Sequence, residues 1–518
     1  MRKLNKIAPC FFVLLSACYF TSCGDLKGAS QPLSYAPATA ASLWIPPACL
    51  AHRSEDIDDI EDYKLEKSSL SLGEVIDLAL HNSPQTKKSW NMAKAAAANY
   101  GRSLKDYFIT SNLTSDYNNY QEAYFTELNT TNSVTNINNA NINPDAGQSN
   151  TFHGLKYGAQ LNLSYTILDF GQTRATSKAA LAALHEADFS HNQEIQKVMN
   201  KVMNDLYHYL AQKARVVAAE ENVKNATVSL DSVTEKFQFG VANVSDTIQA
   251  TTKLLEEKLT LVNEQKSLTY AYTNLLTSMG YPANSYLTFE NFPEKLELFD
   301  LVDLSSLIKI ASCSRPELLA AESSMRMYEE KLSLARAQKY PVVTASFDVG
   351  RENANLGIGS YFDYMLSINL NFPLFQGFFL ENGIKKAQAD LETSKARLKQ
   401  IQLQLVQEIT NVFHDVSYAK EAYLYAKEYL KSAELDFKVN LEEYKAGTST
   451  IVDLINAQTS IANARAKFIE TQKNWYSSLA NLSYSTGLIT SDPTAETKLQ
   501  VKSSPCAEIE TRNVGESF

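Results

Sequence analysis

The side chains most often used in catalysis form no recognised catalytic pattern in this sequence. It contains no His-Glu-x-x-His zinc motif, no phosphate-binding loop and no Gly-x-Ser-x-Gly nucleophile motif. The histidines that fall on long predicted helices lack the spacing of metal ligands: His185, His191, His208 and His414. Such histidines are more often packed or exposed side chains than ligands. We therefore predict that the protein is not an enzyme and that it has no cofactor and no metal site.

Two cysteines near the start of the chain are candidates for covalent modification. Basic residues precede a mostly apolar stretch, residues 7–16, as in a secretory signal. The stretch leads into Leu15-Ser16-Ala17-Cys18, which is similar to the cleavage and lipidation box of bacterial lipoproteins. We predict a signal peptide over residues 1–17 and a lipid on Cys18, with Cys23 as the alternative. An ordinary signal peptide without a lipid is the other interpretation.

Three further cysteines, Cys49, Cys313 and Cys506, stand alone without metal-ligand spacing. Export would allow a disulfide between Cys49 and Cys506, because both lie in segments that flank the predicted fold. Unpaired thiols are the alternative.

Two carboxylates each follow a polar side chain by three residues. Asn243 precedes Asp246, and Thr450 precedes Asp453, which is the spacing of a capping box at the start of a helix. Helix capping is therefore the simplest role for both aspartates.

Glycine and proline, which break helices, are scarce and unevenly placed. The predicted helices between them are 85–105, 172–239 and 241–279 in the first half and 317–339, 384–446 and 448–486 in the second. Gly240 and Gly447 each separate two long helices, and we expect left-handed helix caps there. Each half therefore makes a long helical hairpin with a tight tip.

The two halves of the chain repeat. The spacing from Gly240 to Gly447 equals that from Gly280 to Gly487, and two apolar heptad series share it. The series are Val202, Tyr209, Val216, Val223, Leu230, Phe237 and Ile409, Val416, Tyr423, Leu430, Phe437, Tyr444. This apolar period is typical of near-parallel coiled helices. We predict two structural repeats, at residues 70–282 and 301–490.

Alternating polar and apolar residues predict two strands in each half. The strands are about 107–117, 158–168, 341–350 and 362–374, and residues 118–156 are predicted to be a solvated loop. Alternation with aromatic ends is typical of membrane-barrel strands, and it also fits half-buried strands of a soluble sandwich. The export signal and the long helices favour the membrane.

A set of four strands cannot close a membrane barrel by itself. Lipid does not tolerate an open sheet edge, and known barrels begin at about eight strands. Two copies would supply eight strands and three copies twelve, so we expect an oligomer.

Charge and hydropathy argue against two broad classes of protein. The 48 basic and 58 acidic residues give a net charge of −10, which disfavours a nucleic-acid partner. No apolar run long enough for a membrane helix follows residue 25.

Residues 18–69 are predicted to be an N-terminal linker and residues 491–518 a disordered tail.

Several motifs together resemble those of the TolC-type outer-membrane efflux family. One is the opening Leu70-Ser-Leu-Gly-Glu-Val-Ile-Asp-Leu-Ala-Leu-His-Asn-Ser-Pro84, and another is the junction Asn371-Phe-Pro-Leu-Phe-Gln-Gly377. The third is the pair of aromatic-x-x-Gly tips, each with an aspartate six residues after the glycine. Their order and duplication extend the resemblance over about residues 70–490.

The resemblance implies a mixed α and β fold. Three chains would form a 12-stranded outer-membrane β-barrel, four strands per chain, continuous with an α-helical coiled-coil tunnel in the periplasm. The implied partners of this homotrimer are a periplasmic adaptor (membrane fusion protein), an inner-membrane transporter and outer-membrane lipid. The expected function is a passive exit duct of a tripartite efflux or type I secretion system. An exported coiled-coil scaffold, or a periplasmic adaptor without a pore, is the alternative.

By the same resemblance, the tunnel closes at the hairpin tips. The matching positions are Tyr444 and Asp453 on the second hairpin and Ser245 and Asp246 on the first. Ser449 stands where some members place an arginine that latches the tips, and Asn456 stands where some relatives have a second carboxylate. A latch here must therefore use other contacts. Pore lining stands beside capping as a role for Asp453, since three copies would favour cations on the axis.

Overall fold

The computed structural model describes residues 36–37, 39–42, 69–125, 149–292, 303–354 and 359–489. The predicted signal peptide, Cys18 and Cys23 lie outside these residues, as do the predicted tail and most of the linker. The chain divides into two compact units. Within the described ranges, the first unit comprises residues 98–181 and 327–391, and the second comprises the remaining ones.

The helices form two series of similar length. They are α1 Leu72–Asn82, α2 Pro84–Ser103, α3 Gln172–Gln238, α4 Val244–Ser278, α5 Leu304–Ser314, α6 Pro316–Ala337, α7 Phe379–Ala446 and α8 Ile451–Ser485, with a 3-10 helix at Lys105–Tyr107. Helices α3 and α7 have 67 and 68 residues, and α4 and α8 have 35 each. None of the described helices combines the length and the apolar composition needed to cross a bilayer.

Two differences from the predicted helices have a simple cause. The short helices α1 and α5 were not predicted; each ends just before the proline that begins the next helix. Helix α7 begins at Phe379 rather than at 384, because Gly383 is accommodated inside it. A helical glycine costs only about 1 kcal/mol, which a long helix tolerates.

The first unit contains one antiparallel sheet. Its strands are β1 Thr110–Phe125, β2 Ser149–Leu168, β3 Val342–Ala354 and β4 Gly359–Asn371, in the order β1-β2-β3-β4. Pairing of β1 with β2 runs from Thr110 with Ser164 to Phe125 with Ser149. The prediction of a loop over 118–156 was therefore wrong at both ends. Main-chain groups make this ladder, so a polar composition does not prevent it.

The two faces of the sheet differ in polarity. One row across the strands joins Leu113, Leu161, Val349 and Tyr364, and the outermost members, Leu113 and Tyr364, are 74% and 73% exposed. On the other face the Asn162 amide donates to Asp348 at 2.6 Å, and Ser346 and Ser367 share a hydrogen bond of 2.6 Å. The sheet thus has an exposed apolar face and an internally bonded polar face.

The second unit has apolar cores along its helices. One core gathers residues of α1, α3, α4 and α8, among them Ile76, Met203, Leu275 and Ala480. Another packs α5, α7 and α8 around the buried indole of Trp475. The heptad series on α7 is buried or partly buried throughout, whereas the series on α3 reaches the surface at Phe237.

Gly280 and Gly487 allow the ends of α4 and α8 to approach the ends of α1 and α5 closely. Both have positive φ, +81° and +73°. A Cβ on Gly280 would lie 2.7 Å from the carbonyl oxygen of Asn82, and one on Gly487 would lie 2.9 Å from that of Ser314. These distances leave no room for a side chain.

Arg315 fastens the end of α8 from within the unit. Its buried guanidinium donates to the main-chain oxygen of Ser485 at 2.9 Å and to both carboxylate oxygens of Glu408 at 3.1 and 2.9 Å. It also lies 4.9 Å from the ring centre of Tyr484. The cation therefore meets a free carbonyl at the negative end of the helix dipole.

Cys313, at the end of α5, is disulfide-bonded. The other cysteines of the chain all lie outside the described residues, and so does its partner. The sequence alone left open whether Cys313 forms a disulfide.

Candidate functional site at the hairpin tips

The first tip joins α3 to α4 through Gly240. This glycine has a φ of +68°, and the N–H of Val241 donates to the oxygen of Lys236 at 2.9 Å, which closes the end of α3. The Asn243 side chain accepts from the N–H of Asp246 at 3.0 Å, and the Asp246 carboxylate accepts from the N–H of Asn243 at 3.1 Å. The predicted capping box is therefore present.

The second tip joins α7 to α8 in the same way. Gly447 has a φ of +84°, and Thr450 and Asp453 form the second predicted capping box. The hydroxyl of Thr450 donates to the Asp453 carboxylate at 2.6 Å and its N–H donates at 3.1 Å. These two bonds hold the pKa of Asp453 below its usual value. The carboxylate is exposed and carries its charge at neutral pH.

Tyr444 is the residue at which the two tips meet. It is only 4% exposed, and burial followed by the nearby charge of Asp246 raises the pKa of its phenol. The ammonium group of Lys236 lies 4.2 Å from the centre of the Tyr444 ring and donates to the main-chain oxygen of the same residue. The charge of Asp246 thus acts on Tyr444, and the part of both residues in a gate stays a prediction. The contact with Lys236 was not predicted.

The other predicted tip residues make local contacts. Ser245 is exposed on the first turn of α4, where its hydroxyl accepts from Gln249 at 3.4 Å. Ser449 reaches the Asp453 carboxylate at 3.5 Å, and Asn456 is exposed on α8. These residues remain predictions as parts of a gate.

An apolar cluster binds the two hairpins next to the tips. Hairpin one contributes Val233 and Ala250, and hairpin two contributes the larger share, including Phe437 and Leu454. The side chain of Tyr444 closes this cluster on the tip side.

Polar contacts between α3 and α8 continue away from the tips. Gln458 donates to the hydroxyl of Ser229 and, at 3.4 Å, to the main-chain oxygen of Asn225. Arg465 donates to the side-chain oxygen of Asn222 at 2.8 Å. Asn222 and Ser229 are seven residues apart on α3, and Gln458 and Arg465 are seven apart on α8. This shared spacing was the sequence signal that could have revealed the contacts.

The four histidines lie on the long helices, His185, His191 and His208 on α3 and His414 on α7, and His191 is the most buried of them. Its Nε2 donates to the main-chain oxygen of Ser42 at 3.1 Å, and its Nδ1 lies 2.8 Å from the hydroxyl of Ser89. Burial lowers the pKa of His191. Among the residues that the structure describes, no group of three or more His, Cys, Asp and Glu side chains could hold a metal ion.

Asp188 on α3 is a buried carboxyl that sequence reasoning missed. It is 0% exposed, and within the described part of the chain neither carboxylate oxygen has a hydrogen-bond partner. Burial raises its pKa to about 8. The heptad series through Val202, continued towards the start of α3, passes through Ile195 to Asp188. A carboxyl on an apolar seam was thus readable from the sequence.

Known proteins share both the sequence pattern and the fold. The model of the family described as outer membrane efflux protein matches residues 75–281 and 307–488, which is more than half of the chain. Protein CyaE of Bordetella pertussis is 22% identical, over 77% of this chain and 80% of its own. The outer membrane protein TolC of Escherichia coli is 21% identical, over 64% of this chain and 69% of its own.

The fold is also that of a solved channel. The Campylobacter jejuni CmeC outer membrane channel superimposes with a TM-score of 0.69 at 17% identity, covering 88% of this chain and 98% of that one. The four-stranded sheet and the paired long helices of this chain therefore form a fold that is already known from solved structures. The chain belongs to the outer membrane efflux protein family.

Proposed function

We propose that three copies of this chain form a passive exit duct in the bacterial outer membrane, with the long helices in the periplasm. The observation that carries the proposal is the sheet. Within the described residues, neither β1 nor β4 has a strand on its outer side, and the sheet exposes an apolar face. Three such sheets, paired edge to edge, would close a 12-stranded barrel with that face towards lipid.

Unpartnered apolar stripes on two long helices support the same assembly. Exposed apolar side chains recur at three-, four- and seven-residue steps on α4, at Val244, Ile248, Leu255, Leu259 and Val262. On α7 the exposed Tyr418 and Tyr425 are seven residues apart, and the exposed Leu435 and Val439 are four apart. Stripes with this period are seams of coiled helices, and a neighbouring copy would cover them.

The remaining parts of the proposal follow from the family and the N-terminal motif. A lipid on Cys18, or on Cys23, would anchor the chain, and a periplasmic adaptor and an inner-membrane pump would supply cargo and energy. Small molecules and proteins are both within this class of cargo. The duct itself would open and close at the hairpin tips.

The assembly is tested by its behaviour in detergent. We expect the full-length protein, purified from outer membranes, to run as a trimer that heating converts to a monomer. A well-behaved monomer in buffer without detergent would contradict the proposal, because the exposed apolar face and the free sheet edges would then need no partner.

Asp453 is expected to favour cations at the tip. Asp453→Asn retains an oxygen that accepts the capping hydrogen bond but removes the charge, whereas Asp453→Ala removes both. We expect Asn to lower the cation-over-anion permeability ratio in planar bilayers about threefold, since three charges on one axis are lost. Asp436→Asn, an exposed site on α7, is the matched control. An unchanged ratio in Asp453→Asn would leave Asp453 as a helix cap alone.

A further inference from the structure

We infer that Lys236 is the clasp that keeps the two hairpin tips together when the duct is closed. The inference rests on the proposed function, because it concerns how the same tips open. It assigns the holding contact to a lysine of the first hairpin, acting on Tyr444 of the second.

Lys236 makes two different contacts with one residue of the other hairpin. Its ammonium group donates to the main-chain oxygen of Tyr444, and it also lies 4.2 Å from the ring centre of that tyrosine. A charged donor makes a stronger hydrogen bond than a neutral one, and a partly buried cation is attracted to an aromatic face. Both attractions vanish together when the tips separate.

Three other charged groups near the tips are engaged within their own hairpins. Lys445, next to Tyr444, pairs with Glu442 on the same helix at 2.9 Å. Asp246 and Asp453 are held by the capping boxes of their own helices. Lys236 therefore supplies a cation at the tips, whereas position 449 of the second tip is an uncharged serine.

Lys236 is also the last member of a regular series. Asn222, Ser229 and Lys236 follow one another at seven-residue steps on α3, and Arg465 and Gln458 keep the same step on antiparallel α8. We call Asn222–Arg465, Ser229–Gln458 and Lys236–Tyr444 the polar ladder.

A polar ladder suits a contact that must open and close again. When an apolar seam is pulled apart, the exposed surface stays unfavourable in water at roughly 25 cal/mol per Å². Polar groups that separate instead regain hydrogen bonds to water, so the net loss for each is only about 1 kcal/mol. The tip end of α3 can therefore part from hairpin two by exposing only Leu230 and Val233 of the apolar cluster beside the ladder, while the larger apolar cores farther along the helices stay intact.

The direct test is conductance of the full-length protein in planar bilayers. We expect Lys236→Gln to raise the resting conductance about fivefold, because it removes the charge from both contacts. Lys236→Arg retains a cation and donors and should stay close to the native protein. Lys224→Gln is the matched control, since Lys224 lies on the same helix and pairs with Glu221 of that helix at 3.9 Å.

A second readout does not depend on conduction. Ser229→Cys with Gln458→Cys places two thiols across the ladder, where a short bis-maleimide reagent joins α3 to α8. We expect Lys236→Gln to slow this cross-linking, and Lys236→Arg to leave it unchanged. Slower cross-linking in Lys236→Gln would support the clasp even if the native protein did not conduct. Absence of conduction by the native protein would instead overturn the proposed function.

Two outcomes would overturn the clasp. One is a conducting Lys236→Gln channel whose resting conductance and cross-linking rate both equal those of the native protein. The other is an equal effect of Lys224→Gln and Lys236→Gln, which would show a general response to lost charge on α3.

Discussion

Asp188→Asn should make the protein more stable by about 5 kcal/mol at pH 7.5, and the gain should disappear towards pH 4. In the folded chain the pKa of Asp188 is raised to about 8 by burial, whereas an unfolded aspartate titrates near its ordinary value. Asparagine has nearly the same shape as the protonated acid and carries no charge to be restored by unfolding.

The direction of this pH dependence follows from proton binding. Between about pH 4 and pH 8 the folded protein holds a proton on Asp188 that the unfolded chain has lost. Raising the pH therefore favours unfolding, by up to about 1.4 kcal/mol per pH unit from this group. Below that window both states are protonated, and above it both are ionised, so the penalty no longer changes.

The measurement is loss of the helical circular dichroism signal on heating in detergent, at several pH values. Asp231→Asn, on the exposed side of the same helix, is the control and should follow the native protein. If Asp188→Asn were no more stable than the native chain at pH 8, a donor to this carboxyl would have to exist and the burial argument would be wrong.

Gly280→Ala and Gly487→Ala should each cost about 3 kcal/mol. Positive φ alone costs a residue with a side chain about 1 kcal/mol or more, and here the new methyl group also meets a carbonyl group. The methyl group would clash with main-chain atoms of Asn82 or Ser314, and main-chain atoms cannot rotate away as the end of a flexible side chain could. Thermal unfolding in detergent measures both effects.

Other glycines of the chain separate the two causes of this loss. Gly447→Ala has positive φ but open space around its Cβ, so we expect a cost of about 1 kcal/mol. Gly383→Ala lies inside α7 with nothing near its Cβ and should stabilise the chain by about 0.5–1 kcal/mol. Equal losses at Gly280 and Gly447 would show that backbone conformation, not the close approach, determines the cost.

The sequence predicted the hairpins well because their signals are local. Gly240 and Gly447 end helices in the observed left-handed conformation, and the two capping boxes begin the next helices as their spacing indicated. The ends of the strands were less accessible. The ladder of β1 with β2 reaches Phe125 and Ser149 through a polar stretch, because main-chain pairing does not require apolar side chains.

The candidate site was only partly predictable for a related reason. The resemblance singled out Tyr444 and Asp246, whose part in a gate stays a prediction. Lys236 acts on a main-chain oxygen of another helix, which no motif encodes. Asp188 and the polar ladder do leave a trace, since both keep the heptad period of α3. That trace gains meaning only when the facing helix is known.

Because its residues repeat every seven positions on both α3 and α8, the polar ladder does not by itself determine how the two helices align along their axes. A slide of one heptad, about 10 Å, would again set polar groups opposite each other, with Ser229 facing Arg465 and Lys236 facing Gln458. The choice is made elsewhere, where the buried amide of Gln196 on α3 donates to the oxygen of Gly487 at 3.1 Å. Lengthening α3 by seven residues between Gln196 and Asn222 would thus preserve every local pattern and still mismatch the tips.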